Sequence, residues 1–198
     1  YLYDLTGTGI YLTQFENGAP TFPLFAWGNY ISQYFQESQN LLLDYLDLPG
    51  INPTLANQIK TATLTAAKKT GEYVDALTNQ TDPYRAFIKD YNWGSNQYKS
   101  DYGNFLWQLQ FHNIEPINNS VYLNAAEEYL HYIHGVNPLQ FVYLSNMGSY
   151  GAENNIKEFY HSSFTHGSSL WDREGVSVYG PVPGFLSGGP ISSYAIDG

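Results

Sequence analysis

Apolar residues recur at helical spacing through the first 134 residues, and no stretch shows the sustained alternation that a half-buried strand requires. The clearest case is residues 118–134, where Ala125, Tyr129 and Ile133 fall near one stripe and the acidic residues fall on other faces. No βαβ rhythm is visible. The chain is therefore expected to be all-α, as a bundle, a helical solenoid or a toroidal α/α barrel.

Prolines and glycines divide this helical part. Pro49 and Gly50 stop one pattern, and Pro53 begins the next with Asn52 as a candidate cap. The spacing predicts a helix end followed by a new helix within 1–17, helices over 23–47, 53–78, 101–113 and 118–134, and an irregular joint over 82–100.

The helical pattern ends at Gly135, so residues 1–134 are expected to be mostly helical and residues 135–198 mostly loop within a single domain segment. Loops this long are uncommon in compact domains and are usually functional or disordered. The abundance of aromatic residues in this one argues against a disordered linker. We therefore expect an ordered, functional loop.

The composition favours a neutral ligand. Aromatic residues make up 17% of the chain, with 19 Tyr, and charged residues only 13%. Tyr and Trp offer a flat apolar face with a polar group, which suits sugar rings, although Tyr can equally fill helix interfaces. The net charge of −10 argues against nucleic acid and anionic membrane surfaces as partners.

The sequence excludes several kinds of site and lacks the motifs of several common enzyme classes. The chain has no Cys, which excludes disulfides and thiolate metal sites, and it has no apolar run of membrane-spanning length. It contains no nucleophile elbow, dinucleotide-binding, phosphate-loop or zinc-protease motif. No signal peptide is visible, and the start at Tyr1 is typical of a mature or partial chain.

Two groups of residues are candidates for binding sugar. Trp93 and Tyr98, at the start of a predicted helix, could form a stacking platform, or Trp93 could plug a gap between helices. His161 and His166 lie in an aromatic, glycine-rich loop. There a His could bond a sugar hydroxyl, orient a carboxylate or pin the loop.

Trp171 is a further candidate in the same loop. It precedes Asp172, one of four loop carboxylates with Glu153, Glu158 and Glu174. Glycoside hydrolysis needs two carboxylates across the scissile bond, but no spacing here identifies such a pair, so no catalytic residue is assigned. Loop carboxylates often have structural roles or bind calcium, so calcium is possible and no metal ligand is assigned.

Three motifs resemble glycoside hydrolase family 9, the endoglucanase family. Residues 129–148 (YLHYIHGVNPLQFVYLSNMG) resemble its pattern of a helix ending in Gly-x-Asn-Pro-Leu, and residues 181–190 (PVPGFLSGGP) resemble its Pro-Pro-Pro-Gly-x-Leu-x-Gly-Gly-Pro-Asn segment. Residues 93–98 (WGSNQY) resemble its Trp-Gly-Ser segment. The resemblance covers roughly residues 85–190 well, and residues 1–84 resemble the family only in their pattern of paired helices.

The resemblance implies the C-terminal half of an (α/α)6 toroidal barrel from a secreted or cell-surface enzyme. Such enzymes cleave β-1,4-glucan with inversion and need no cofactor, and related enzymes cleave glucosamine chains. His161 would bind substrate near the cleavage point, and Trp93 and Tyr98 would match aromatic residues of the cleft.

The chain also departs from the family pattern. It contains no Asp-Ala-Gly-Asp motif and no match to the Glu segment that supplies the acid, and Ser163 stands where the family has Arg after its motif His. We therefore expect the segment alone to be inactive. The alternatives are a carbohydrate-binding protein derived from the same barrel and a structural or fibre protein. The oligomeric state is left open.

Overall fold

The computed structural model describes residues 2–69, 71–78, 81–159 and 165–192. This part of the chain is mostly helical, which confirms the all-α class. The elements are α1 (Leu2–Thr6), α2 (Gly9–Gly18), α3 (Pro23–Ala26), α4 (Gln36–Asp44), α5 (Pro53–Lys69), α6 (Gly71–Thr78), α7 (Ser95–Phe111), α8 (Asn119–Ile133), β1 (Val142–Ser145) and β2 (Asn155–Ile156). Short 3-10 turns lie at Ala19–Thr21, Gln33–Phe35, Tyr45–Asp47, Pro116–Asn118 and Gly148–Tyr150. None of the helices described combines the length and the hydropathy needed to span a membrane.

The single helix predicted over 23–47 is wrong. Helix α3 ends at Ala26, and the chain then passes through Gly28 (φ +75°) and Asn29 (φ +59°). Left-handed backbone cannot continue a right-handed helix, so the helix breaks there. The Ser32 hydroxyl accepts a bond from the Tyr34 amide at 3.2 Å and starts the 3-10 turn before α4.

The other helix boundaries are partly confirmed. Asn52 caps α5, because its Oδ1 accepts bonds from the amides of Thr54 (2.9 Å) and Leu55 (3.3 Å). The described residues of the predicted helix 53–78 are helical throughout, as α5 (Pro53–Lys69) and α6 (Gly71–Thr78). The helix predicted from 101 begins six residues earlier, because Gly94 (φ +85°) turns the chain directly into α7 at Ser95. Helix α8 lies within a residue of its predicted bounds.

The described chain divides into two compact units. The first unit comprises residues 1–78 and 104–126, and the second comprises residues 79–103 and 127–198. In the first unit, helix packing buries a core of large apolar side chains, among them Leu24, Ile31, Leu42, Leu43, Ile59, Phe105, Leu106 and Leu109. Burying each such side chain contributes about 1.5–3 kcal/mol.

Glu115 is a polar junction in the first unit. Its Oε1 pairs with Lys68 of α5, and its Oε2 accepts bonds from Asn118 (2.7 Å) and Tyr122 of α8 (2.5 Å). The Lys68 ammonium and the two other donors lower the pKa of this carboxyl to about 2. The carboxylate therefore ties α5 to the start of α8.

The second unit holds the long segment that follows α8. Strands β1 and β2 pair in parallel, Val142 with Asn155 and Ser145 with Ile156, and the register shifts between the two pairs. Among the described residues of 135–198 the rest is turn and irregular chain, as the sequence predicts. The prediction of a single domain segment stays a prediction.

We expect Glu115→Gln to lower the free energy of unfolding by about 1–2 kcal/mol near neutral pH, because charge-assisted bonds are lost. The folded pKa lies below the usual 4.5, so this contribution is present above pH 4.5 and is lost as the pH falls toward about 2. Urea unfolding at several pH values measures it. Glu127→Gln, an exposed change on α8, is the control, and equal stabilities of the two variants near neutral pH would contradict the role of Glu115.

Candidate functional site

The turn after α8 is built around the buried amide of Asn137. Its Nδ2 donates to the carbonyl oxygens of Tyr132 and Phe141, both at 2.7 Å, and its Oδ1 accepts bonds from the amides of Leu139 (3.1 Å) and Phe141 (3.2 Å). One side chain thus satisfies four main-chain groups of the Asn-Pro turn. The turn feeds the chain into β1.

Strand β1 is bonded along its length to residues 182–187. The Ser145 amide donates to Phe185 O at 2.9 Å, its carbonyl accepts from the Gly184 amide at 2.7 Å, and the Ser187 amide donates to Tyr143 O at 2.9 Å. The Ser145 hydroxyl adds a bond to Val182 O at 2.5 Å. The PVPGFLSGGP segment is therefore held against β1 by main-chain bonds.

The start of α7 binds the end of that segment. The Asn96 amide N donates to Gly188 O at 3.2 Å, its Nδ2 donates to Ser187 O at 3.2 Å, and the Ser95 hydroxyl donates to Pro190 O at 2.6 Å. Both side chains are fully buried. A Cβ atom at Gly189 (φ +84°) would lie 2.5 Å from Asn96 Cγ, so the contact requires glycine.

These contacts bring the three sequence motifs together in the second unit. Trp93, directly before the turn at Gly94, is 83% exposed, so it does not plug a gap in the described structure. Tyr98 lies in the first turn of α7 and is half-buried. The motifs thus form one structural assembly, and Trp93 offers an indole at its surface.

Trp171 stacks on Tyr179 in the loop 165–180. Their ring centroids are 4.5 Å apart at an interplanar angle of 30°. Bonds from the Val178 amide to Ser169 O (3.1 Å) and from the Tyr179 amide to Leu170 O (2.8 Å) set the two rings side by side. Trp171 is 43% exposed and Tyr179 is 59% exposed. The pair forms an aromatic surface of the kind that binds sugar rings.

A charged cluster lies beside this stack in sequence. His166 Nδ1 is 3.1 Å from Asp172 Oδ1 and 3.7 Å from Glu158 Oε1. Arg173 holds Glu158 Oε2 through Nε (2.7 Å) and Nη2 (2.6 Å), and this guanidinium lowers the pKa of the Glu158 carboxyl. The predicted residue His166 is therefore part of a carboxylate cluster.

Lys99 of α7 lies fully buried among tyrosines. Its Nζ lies 3.9 Å from the centroid of the Tyr132 ring and 5.0 Å from that of Tyr91, and it donates to Ala86 O. Burial lowers the pKa of this amine to about 8, although the Asp82 carboxylate opposes the shift. Cation–π contacts partly replace the lost hydration. Lys99 thereby fixes the irregular segment that leads to Trp93.

Asp101 is a second perturbed group on α7. Its Oδ2 is buried, and this desolvation raises the pKa of the carboxyl to about 7. A carboxyl that exchanges a proton near neutral pH is the kind of group that acid–base catalysis uses. Sequence spacing alone did not single it out.

The predicted site residues therefore differ in outcome. His161 lies outside the described residues. Trp93, Tyr98, His166 and Trp171 lie in the second unit, and their binding of sugar stays a prediction. Tyr179, Glu158 and Arg173 were not assigned as site residues from sequence, because loop pairing brings them to Trp171 and His166 and no sequence period encodes that pairing.

Two surface depressions lie in the first unit, with volumes of about 670 and 650 Å³. The first is lined by α5 and by residues between α2 and α4, including Phe25, Asn29 and Gln58. The second is lined by α1, α2 and α4 and by Tyr45–Leu48. Neither contains a sequence-predicted site residue, although the second gathers three carboxylates, Asp4, Asp44 and Asp47.

The profile described as Glycosyl hydrolase family 9 matches residues 1–195. The match includes residues 1–84, where we expected the chain to resemble the family only in its pattern of paired helices. No curated protein and no solved structure matches the chain significantly.

We expect Gly189→Ala to lower the free energy of unfolding by about 1–3 kcal/mol, because it forces a side chain into left-handed backbone and against Asn96. It should also speed hydrogen exchange of the Asn96 amide, which donates to Gly188. Gly188→Ala is the matched control, since a Cβ there meets no atom within 4 Å. Equal exchange rates in both variants would contradict the close contact.

Asp101→Asn tests the buried carboxyl. The folded pKa of about 7 lies above the usual 3.8, so the folded state binds the proton more tightly and stability falls as the pH rises from 3.8 to about 7. We expect the variant to be more stable than the natural protein near pH 8, by about 1–2 kcal/mol, because solvent screens this partly exposed carboxyl. This gain in the free energy of unfolding should vanish at about pH 4. Urea unfolding at both pH values measures it, with the exposed Asp75→Asn as control.

Proposed function

This chain belongs to glycosyl hydrolase family 9, and from that membership we propose that it forms part of an enzyme that hydrolyses β-1,4-glucan with inversion of configuration. The observation that carries the proposal is the family match over residues 1–195. Under it, the chain corresponds to the C-terminal half of an (α/α)6 barrel. The enzyme would act outside the cell or at its surface and would require no cofactor.

The proposal gives the described loops the task of binding substrate. The Trp171–Tyr179 stack is part-exposed and held by main-chain bonds, so little side-chain freedom would be lost when a sugar ring packs on it. Trp93 and Tyr98 would add a second aromatic contact, and His161 and His166 would bond hydroxyl groups. A neutral polysaccharide suits a chain of net charge −10, since it carries no phosphate to repel.

The chemistry would need two carboxylates about 6.5–9.5 Å apart, with a water molecule between one of them and the sugar. No Asp-Ala-Gly-Asp motif is present in the 198 residues. The proposal therefore assigns no catalytic residue within them, and this segment alone would bind glucan without cleaving it.

A glucan-binding protein without hydrolytic activity is the second candidate, favoured by that missing motif. The two candidates differ in one assay. Protein purified from its natural source should release reducing sugar from a soluble cellulose derivative, and the first product detected by NMR should be the α-anomer. Binding without release of sugar would support the second candidate and contradict the first.

Trp171→Ala is expected to weaken binding of cellohexaose about tenfold, because it removes one ring of the stack. Trp107→Ala is the matched control. Trp107 stacks on Phe111 of α7 with centroids 4.7 Å apart, is similarly exposed at 42%, and lies outside the proposed site. Isothermal titration measures both affinities. An unchanged affinity in Trp171→Ala, or equal losses in both variants, would remove the stack from the binding site.

A further inference from the structure

The cluster of Glu158, His166 and Asp172 has the composition and spacing of a metal site. From its geometry we infer that these three residues bind a divalent transition-metal ion of the zinc class. The inference concerns this cluster alone and does not depend on the proposed hydrolysis of glucan.

The distances fit a small ion. One ligand atom from each of the three residues lies within 4.8 Å of the others. His166 Nδ1 is 3.1 Å from Asp172 Oδ1 and 3.7 Å from Glu158 Oε1. Zinc binds nitrogen and oxygen at about 2.0–2.2 Å, so two ligands at a tetrahedral angle stand about 3.4 Å apart. The observed separations lie on either side of that value, and small side-chain rotations would complete the site.

The Glu158 carboxylate has an oxygen that the described residues leave unsatisfied. Its Oε1 is buried and accepts no hydrogen bond in the described part of the chain. The side chain as a whole is only 11% exposed. A buried acceptor without a partner is unfavourable. A metal ion bound to Oε1 would remove that cost.

Neighbouring groups already orient both carboxylates. Arg173 engages Oε2 of Glu158 through two nitrogens and leaves Oε1 directed toward His166. The Gly167 amide donates to Asp172 Oδ1 at 3.0 Å. Such outer contacts are typical of metal sites, where they fix ligand orientation before the ion binds. Arg173 also offsets the negative charge of Glu158. The affinity for the metal ion would therefore depend on its bonds to the ligand atoms more than on the net charge of the cluster.

The donor set selects the class of metal. Calcium takes six to eight oxygen ligands, whereas one imidazole and two carboxylates suit zinc, cobalt or manganese. His166 is 43% exposed, so solvent can reach the ion and fill a remaining coordination position. The ion would bridge Glu158 to the loop that carries Trp171. The competing arrangement is a plain ion pair between a protonated His166 and the two carboxylates.

The test is titration of chelator-treated protein with zinc chloride, and separately with calcium chloride, by isothermal calorimetry. We expect one zinc ion per chain and tighter binding of zinc than of calcium. Cobalt should give visible absorption bands typical of nitrogen and oxygen ligation. Zinc should also raise the melting temperature.

His166→Gln and Asp172→Asn should each weaken zinc binding at least about tenfold. His131→Gln is the matched control, because His131 is 55% exposed and pairs with Glu128, at 3.8 Å, in a surface contact on α8. Circular dichroism confirms that each variant is folded. Absence of zinc binding, tighter binding of calcium, or unchanged affinity in folded His166→Gln would overturn the inference and leave the ion pair.

Discussion

The hydrogen bonds at the start of α7 hold the second unit together. Ser95 and Asn96 bind the main chain of residues 187–190, which lie 91 to 95 positions further along the chain. Closing so long a loop carries a large entropy cost, so it must be offset by many bonds formed together. The same segment also pairs with β1, and β1 starts from the turn around Asn137. The position of each piece therefore depends on the others.

Helix α7 carries two desolvated ionisable groups, the fully buried Lys99 and the partly buried Asp101. Lys99 and Asp101 are two residues apart, so they point to different faces of the helix and do not form a pair. Aromatic rings and a carbonyl oxygen surround the amine, and desolvation raises the pKa of the carboxyl to about 7. Desolvating a charged group without an opposite charge beside it costs free energy, so neither side chain is placed here for stability. We interpret Lys99 as fixing the position of residues 82–93 against α7, through its bond to Ala86 O and its contact with the Tyr91 ring.

Sequence patterns predicted the parts of the fold that follow local rules. Helix α8 has a regular apolar stripe, and Asn52 caps a helix through bonds to its own neighbours. The break near Gly28 was missed, because positive φ at two residues leaves the helical spacing of the flanking residues unchanged. The start of α7 was placed too late, because its polar residues are buried by contacts with sequence ninety positions away. The stack of Trp171 on Tyr179 was also missed, because main-chain pairing within the loop brings the two rings together and no local sequence pattern encodes it.

The segment after Gly135 is held by main-chain hydrogen bonds and by Asn and Ser side chains bonded to the main chain, and among its described residues Tyr143 is a rare buried aromatic. Opening it would expose much polar and little apolar surface. Polar surface lowers the heat capacity on exposure, and denaturant sensitivity scales with the area exposed. Local opening of these loops would therefore carry a small heat-capacity change and a shallow dependence on urea. The helical core of the first unit would show the opposite behaviour.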